Sequence, residues 1–367
     1  MTGCPADGLP AGPGRERIGR APRPRGPSRV EAVSGLNDAP GLTRVVGGPL
    51  FEDLHPGLRF TEAPAVTLTG GLAATHQAIV GGRLRVVLDH GLGRRVAGDG
   101  PPLAPPGLAW DVAIGQSSVV TQNVVANLFY RGVALHRAPR IGDTLSTTTE
   151  IAGLRQNSRR PGRPATGLAV LRITTVDQQE RPVLDFWRCA MLPLRDKAAE
   201  TGWADDPATI GRPASGAELR AATGGWDVAA YRGAVPGPHF ADLTEGTRAE
   251  VVSGDVVSSA PELARLTTNL ARVHHDESVT GRRLVFGGHT IGLALAQAVR
   301  AFPGMVTVVG WHSCDHVGPV HEGDTVWSTV EVDGLEPLGR GGLAHLRSRV
   351  RTAEREVLDW RFVALFA

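Results

Sequence analysis

Apolar residues recur along the chain with two different periods, and each period predicts one type of element. Before residue 275 the apolar positions are three or four residues apart, so they share one face of a predicted helix. These positions are Leu263, Leu266, Leu270 and Val273. Farther along, polar and apolar residues alternate one by one, which is typical of half-buried antiparallel strands. Strands are predicted at residues 305–314, 325–331, 343–352 and 357–366.

The same pattern of elements occurs twice in the chain. FEDL at 51–54 is repeated as FADL at 240–243, GDTLS at 142–146 as GDTVW at 323–327, and VLDFW at 183–187 as VLDW at 357–360. The offsets are 189, 181 and 174 residues, so the two copies stay in register apart from short insertions and deletions. Each copy combines a predicted helix with a predicted antiparallel sheet, so each copy is predicted to be an α+β unit. Two such units can pair their sheets edge to edge, which removes exposed strand edges.

Four segments follow from the repeat and from local composition. Residues 1–45 are rich in Pro, Gly and Arg and are predicted to be a disordered leader, or else a basic arm for an acidic partner. The first copy is predicted at 46–195 and the second at 239–367. The linker between them, 196–238, is expected to be partly helical and to pack through its two tryptophans, Trp203 and Trp226.

Composition excludes several classes of protein. With 367 residues and 41% hydrophobic residues the chain can bury two cores, and a net charge of +2 argues against a nucleic-acid partner. No apolar run approaches the roughly 18 residues of a membrane span, and no secretory leader is recognised. Three distant cysteines do not form a disulfide framework, so a cytoplasmic location is expected.

A candidate site lies between residues 269 and 289. His274 lies where the amphipathic helix is predicted to end, and a Gly287-Gly288 pair precedes a second helix predicted from Thr290. A helix that begins at glycine leaves backbone N–H groups uncovered, and these suit an anion or a polarised carbonyl. A proton-carrying imidazole and an oxyanion-binding turn are the parts of a catalytic site, if the fold brings them together.

Neighbouring polar residues have two interpretations each. Arg282 and Arg283 precede the glycine turn, where they bind a phosphate or a carboxylate group of a ligand, or belong to a solvated loop. His289 either lines the site or has a polar role at the start of the helix. Asp276 is a candidate acid or base next to His274.

The ordered motifs resemble those of the MaoC-like acyl-CoA hydratases and dehydratases. The match consists of NLARVH at 269–274, GRRLVFGGH at 281–289, and VANL at 125–128 before GDTL at 142–145. It is most similar to the double hot-dog branch that includes mesaconyl-CoA (2-methylfumaryl-CoA) hydratases. The resemblance implies a tandem hot-dog fold and addition or removal of water on an acyl-CoA or other acyl-thioester substrate, without a metal or redox cofactor. It covers roughly residues 50–367.

The resemblance also implies roles for individual residues. His274 takes the place of the family's proton-carrying histidine, and Gly288 that of the amide that binds the thioester carbonyl. Asn269 stands where the family has an aspartate; an amide cannot act as a base but can orient the reacting water. In the first copy the equivalent pair falls near Gly82 and Val87, so that copy is expected to have a degenerate site.

Residues 311–316, WHSCDH, can supply the missing carboxylate. If this segment faces the same cleft as His274, then Asp315 or His312 replaces the family's aspartate. As a strand it also places His312, Cys314 and His316 on one face, where they are possible metal ligands, although no fourth ligand is found.

Two other functions remain open at this point. The missing aspartate favours a non-catalytic acyl-thioester binding protein or regulatory subunit. A biosynthetic tailoring lyase on an unusual acyl substrate fits the same residues, and a hot-dog thioesterase fits less well because no carboxylate lies on the helix. The substrate is the one predicted partner besides a second copy of the chain in a homodimer.

Overall fold

A single antiparallel sheet of twelve strands connects the two copies in this computed structural model, which describes residues 46–367. The predicted leader, 1–45, lies outside the described residues. The strand order is β1-β4-β5-β6-β3-β9-β12-β11-β10-β7, with β2 on β4 and β8 on β10. The strands are β1 (Arg59–Phe60), β2 (Val66–Thr67), β3 (Ala126–Leu135), β4 (Thr144–Gln156), β5 (Thr166–Val176), β6 (Pro182–Pro193), β7 (Arg248–Glu250), β8 (Asp255–Val256), β9 (Met305–His316), β10 (Thr325–Leu338), β11 (Gly341–Arg351) and β12 (Glu356–Phe366).

The four strands predicted for the second copy, now β9 to β12, are confirmed; β10 continues to Leu338 rather than residue 331, and the other ends differ by at most two residues. The predicted pairing of the two sheets is also confirmed. Strand β3 of the first copy pairs antiparallel with β9 of the second, with Tyr130 opposite Cys314. The α+β class predicted from the pattern therefore holds for the described residues.

In the part of the chain that the structure describes, eight α-helices pack against this sheet or connect its strands. They are α1 (Gly70–Val80), α2 (Arg85–Leu88), α3 (His90–Ala97), α4 (Pro106–Gln116), α5 (Gly216–Ala221), α6 (Val228–Ala234), α7 (Ala260–Leu266) and α8 (Gly287–Ala301). Helices α4 and α8 occupy equivalent positions in the two copies. All residues of α4 are buried, and so are Gly288 to Val299 of α8, so the core lies between these two helices and the sheet.

The segment between β6 and β7 contains helices α5 and α6. Trp203 packs against the main core, and Trp226 packs against a second buried cluster that includes Tyr231 and Val363. Within residues 46–367, none of the helices has the length and the hydrophobicity that crossing a bilayer requires.

One helix is shorter than the apolar pattern of the sequence predicts. Helix α7 ends at Leu266, and Thr268 has a left-handed backbone with φ of 59°. The Thr267 hydroxyl donates to the carbonyl of Leu263 at 2.8 Å, which closes the last turn. Leu270, a predicted core position, is 48% exposed. The chain leaves the helix because the next residues bind the first copy instead. The second predicted helix, α8, begins at Gly287 rather than Thr290.

Candidate functional site

A cavity of about 330 Å³ lies between the two copies. Its walls come from the end of α4 and from β3 and β6 in the first copy, and from residues 269–290 and 316–320 in the second. The polar side chains on the walls are Ser118, Thr121, Asn127, Tyr130, Arg188, Asn269, His274, Thr290 and His316. Because both copies contribute, neither copy contains the whole site.

The His274 imidazole lines this cavity and is held in one orientation. Its Nδ1 is 2.9 Å from the carbonyl oxygen of Leu284, so Nδ1 carries the proton and Nε2 has the free lone pair. The ring packs against Phe286 at 5.8 Å between centroids. Burial lowers the pKa of His274 to about 4, opposed by the bond to Leu284. At neutral pH the imidazole is therefore uncharged and can accept a proton.

Contacts with the first copy hold the segment that carries His274. The Leu270 N–H donates to Ser118 Oγ at 2.7 Å, and the Arg272 N–H donates to the Gln122 carbonyl at 3.0 Å. Arg272 also begins the 3-10 turn Arg272–His274 that presents the imidazole. These bonds replace the helical ones that the apolar pattern predicts.

Asn269 lies on the same wall and is 4% exposed. Its Oδ1 accepts a hydrogen bond from the Ala271 N–H at 2.9 Å, and its main-chain carbonyl accepts one from His275 Nε2 at 2.7 Å. Since Oδ1 is engaged, the side-chain amide N–H groups are what Asn269 can offer to a ligand. The two residues carried over from the motif, Asn269 and His274, are thus brought to one cavity.

The N-terminus of α8 closes another side of the cavity through Gly287. Gly288 is buried and is not on the cavity wall; a β-carbon there would lie 2.0 Å from Asp111 Oδ1. Within residues 46–367, no backbone acceptor is found for the N–H of either glycine, while the His289 N–H donates to the Phe286 carbonyl at 2.9 Å. The start of the helix therefore keeps free donors next to the cavity.

Two aromatic groups that the sequence did not assign to this cavity complete it. His316, on β9, has its ring centroid 5.7 Å from that of Tyr130, on β3. Burial, together with the smaller effect of nearby His274, lowers the pKa of His316 to about 4. Burial raises the pKa of Tyr130 well above its ordinary value, so its hydroxyl stays protonated.

Among residues 46–367, Arg188, on β6, is the one arginine that lines the cavity. It is 4% exposed. It donates to Thr121 Oγ1 at 2.9 Å, to the Ser117 carbonyl at 3.2 Å and to Asn127 Oδ1 at 3.3 Å. Each of these acceptors is neutral. An arginine inside the apolar run VLDFWRCAML was a signal available in the sequence, because buried arginines usually have a specific partner.

Asp315 and His312 lie outside the cavity. Asp315 accepts a hydrogen bond from Arg131 at 2.7 Å, and the side chain of Asp315 is 39% exposed. His312 stacks on His345, with Nε2 to Nδ1 at 2.8 Å. A shift of register in the pairing of β9 with β12 separates His312 from Cys314. Among the described residues, His312, Cys314 and His316 do not form a cluster of metal ligands.

The other predicted residues are also placed away from the cavity. Arg282 and Arg283 pair with acidic side chains, Asp324 and Glu322 respectively. His289 is fully buried in α8, and burial, together with the smaller effect of His76, lowers its pKa to about 4. Asp276 is exposed, and its carboxylate accepts bonds from the Ser278 backbone and hydroxyl at 2.9 and 2.6 Å.

The first copy has no equivalent cavity of useful size within residues 46–367. The place equivalent to the site, lined by Gly82, Val87 and Gly107, encloses about 30 Å³. A buried pair that the sequence did not indicate lies beside it: His76 Nε2 is 3.0 Å from Asp111 Oδ2. Burial raises the pKa of Asp111, while the bond to His76 opposes that rise.

Comparisons with known proteins agree on fold and chemistry. No protein-family model matches the chain. A beta-methylmalyl-CoA dehydratase of Chloroflexus aurantiacus is 29% identical over 331 residues, which cover 86% of this chain and 91% of that protein. A mesaconyl-CoA hydratase of Cereibacter sphaeroides is 29% identical over 312 residues, which cover 83% of this chain and 88% of that protein.

Solved structures agree on the fold. A conserved hypothetical protein of Mycobacterium tuberculosis with a double hot-dog fold is 52% identical, with a TM-score of 0.80, and the match covers 87% of this chain and 98% of that one. A MaoC domain dehydratase of Chloroflexus aurantiacus is 24% identical, with a TM-score of 0.76 and coverage of 89% and 99%. The double hot-dog fold implied by the sequence motifs is confirmed.

Proposed function

Because this chain belongs to the MaoC-like double hot-dog family, we propose that it is a hydro-lyase that adds or removes water on a short branched or dicarboxylic acyl-CoA thioester. The observation that carries the proposal is the neutral imidazole of His274 on the wall of a cavity that also includes the N-terminus of α8. Relatives that span most of the chain are a dehydratase and a hydratase of such thioesters.

His274 supplies the proton transfer in this mechanism. In the hydration direction its Nε2 takes a proton from water while the water oxygen bonds to the β-carbon of the enoyl group. The electron pair of the double bond moves toward the thioester carbonyl. The imidazolium then returns the proton to the α-carbon, so one residue performs both transfers. Proton transfer by a positioned side chain contributes on the order of 10²–10⁴-fold to the rate.

The start of α8 stabilises the negative charge that develops on the thioester oxygen. The N–H of Gly287, which is on the cavity wall, lacks a backbone partner in the described part of the chain and lies at the positive end of the helix dipole. One such donor is worth about 3–4 kcal/mol in transition-state stabilisation. The Asn269 amide holds the water by donating to its oxygen, which leaves the water proton for His274.

A second candidate function is acyl-thioester binding without turnover. It is favoured by Asn269, which stands where the family has an aspartate and cannot remove a proton. The bond from His274 Nδ1 to Leu284 weighs against it, since that bond fixes the tautomer a base requires.

Loss of enoyl absorbance with mesaconyl-CoA and with crotonyl-CoA tests the proposal. We expect turnover of at least one substrate, and a loss on the order of 10²-fold or more in His274→Ala. His90→Ala is the matched control, because His90 is exposed at the start of α3 and does not line the cavity. Binding of both substrates without turnover in either direction would establish the second function instead.

A further inference from the structure

Arg188 has a buried positive charge without a negative partner in residues 46–367. Its three hydrogen-bond acceptors are a threonine hydroxyl, a backbone carbonyl and the Asn127 amide oxygen. No carboxylate forms an ion pair with it in the described structure, although half-buried Arg131 and exposed Arg172, on neighbouring strands, each have one. Burying a charge is costly unless an opposite charge compensates it, so Arg188 needs an anion.

The surroundings of Arg188 are also rich in donors. Arg188 Nε and Asn127 Nδ2 are buried, and neither has a hydrogen-bond partner in the described residues. The Tyr130 hydroxyl lies on the same wall. Buried donors without acceptors cost free energy, and a carboxylate, which only accepts, supplies what they lack.

We propose that Arg188 binds a carboxylate on the acyl group of the substrate, at the end opposite the thioester, so that the enzyme selects dicarboxylic acyl thioesters. This inference rests on the proposed action on acyl thioesters and narrows it to one substrate class. A planar guanidinium can hold a carboxylate through two parallel hydrogen bonds. The subsite belongs to the first copy, while His274 belongs to the second.

The position of Arg188 distinguishes an acyl carboxylate from the phosphates of coenzyme A. The cavity of about 330 Å³ has room for a short acyl group but not for the nucleotide of the cofactor. Arg188 and His274 line this one cavity, and the charge of Arg188 contributes to the low pKa of His274. A group bound by Arg188 is therefore next to the reacting carbons. The phosphates lie at the far end of the pantetheine chain.

The test compares binding of two saturated analogues, 2-methylsuccinyl-CoA and 2-methylbutyryl-CoA, by isothermal titration calorimetry. They differ by a carboxylate in place of a terminal methyl group, and neither can be hydrated. We expect the wild-type protein to bind the carboxylate analogue more tightly by on the order of 10²-fold. Equal affinities in the wild type would overturn the inference, and this result requires no variant to fold.

Variants locate the source of the selectivity. In Arg188→Met the ratio of the two affinities should fall to within a few-fold of one, and Arg188→Lys should retain part of it. Arg172→Met is the matched control, because Arg172 lies exposed on the neighbouring strand β5 and pairs with Asp185; it should keep the wild-type ratio. A folded Arg188→Met protein that keeps the full ratio would refute the assignment.

The outcomes separate this inference from the lyase proposal. Selective binding of 2-methylsuccinyl-CoA without turnover of mesaconyl-CoA would support the carboxylate subsite and contradict the lyase function. Turnover of mesaconyl-CoA and 2-methylcrotonyl-CoA at similar kcat/KM, with unselective binding, would support the lyase function and contradict the subsite.

Discussion

Gly115 of the first copy lies against the carbonyl of Thr267 in the second so closely that a β-carbon on Gly115 would stand 1.8 Å from that oxygen. Gly115 is in α4, and Thr267 follows the last residue of α7. The close approach allows the residues after Thr267 to bond with Ser118 and reach the cavity. The position of Asn269 thus depends on a glycine about 150 residues earlier in the chain.

The variant Gly115→Ala should separate these two backbones. Because the obstacle is backbone rather than a flexible side chain, we expect the free energy of unfolding to fall by about 1–3 kcal/mol. The activity should fall tenfold or more, since Asn269 and His274 move with the segment. Denaturant unfolding and kcat/KM measure the two effects. The control is Gly233→Ala, because Gly233 lies in α6 with open space around it. It should leave the free energy of unfolding nearly unchanged and kcat/KM within a few-fold of the wild-type value. Wild-type activity in Gly115→Ala would contradict the proposed dependence of the site on Gly115.

The pH profile of activity should reflect the low pKa of His274. Its pKa is about 4 in the folded protein, so the base is neutral at all pH values above that. We expect kcat/KM, measured in the hydration direction from pH 4.5 to 8, to lack an acid limb near 6.5, where an ordinary histidine titrates. A limb centred near 6.5 that disappears in a variant of His274 would show that the imidazole is more accessible to water than its burial implies.

Protein stability should depend on pH over a different range. His274, His289 and His316 each have a folded-state pKa of about 4, below the ordinary value of 6.5. Between these values the unfolded chain binds more protons than the folded one, so stability rises with pH there and is lost as pH falls from 6.5 toward 4. His289→Leu removes one of the three groups and should reduce the slope of unfolding free energy against pH. If the slope of unfolding free energy against pH between pH 4.5 and 6.5 is unchanged in this variant, His289 does not contribute to the pH dependence of stability.

Asp315 should contribute little to catalysis. Its carboxylate is bound by Arg131 on the side of the sheet away from the cavity, and the pair is partly exposed. We expect Asp315→Asn to change kcat/KM by less than about threefold, as for other solvated ion pairs. If kcat/KM of Asp315→Asn falls by 10²-fold while the free energy of unfolding is unchanged, Asp315 does replace the family's aspartate.

The sequence predicted those parts of the fold and site that depend on local pattern. The alternation that defines β9 to β12 is present in the strands themselves, and His274 and Asn269 are close in sequence as well as in the cavity. Arg188 could not be placed in the same way. It is 86 residues from His274 and reaches the cavity only because β6 pairs with β3, which pairs with β9.

The end of α7 shows a second limit of local pattern. Leu270 continues the helical period, yet its N–H bonds Ser118 in the other copy and its side chain is 48% exposed. A tertiary hydrogen bond to the first copy has replaced a turn of helix. The prediction that Asp315 or His312 replaces the family's aspartate depended on which face of β9 lines the cleft, and strand alternation cannot tell which face of a sheet is covered by α4 and α8.

Asn269→Asp tests what the amide does in place of the family's carboxylate. The aspartate can keep the bond from the Ala271 N–H, because an oxygen accepts it in either residue. It loses the donated bond to the reacting water and adds a carboxyl group whose pKa burial raises above its ordinary value near 3.9. We expect an acid limb in kcat/KM at a higher pH than in the wild-type protein, and a lower rate below that limb. The alanine in Asn269→Ala can neither donate a hydrogen bond nor titrate, so this variant should lower the rate without adding an acid limb to the pH profile. If Asn269→Asp and Asn269→Ala have the same pH profile, the side chain at 269 does not contact the reacting water.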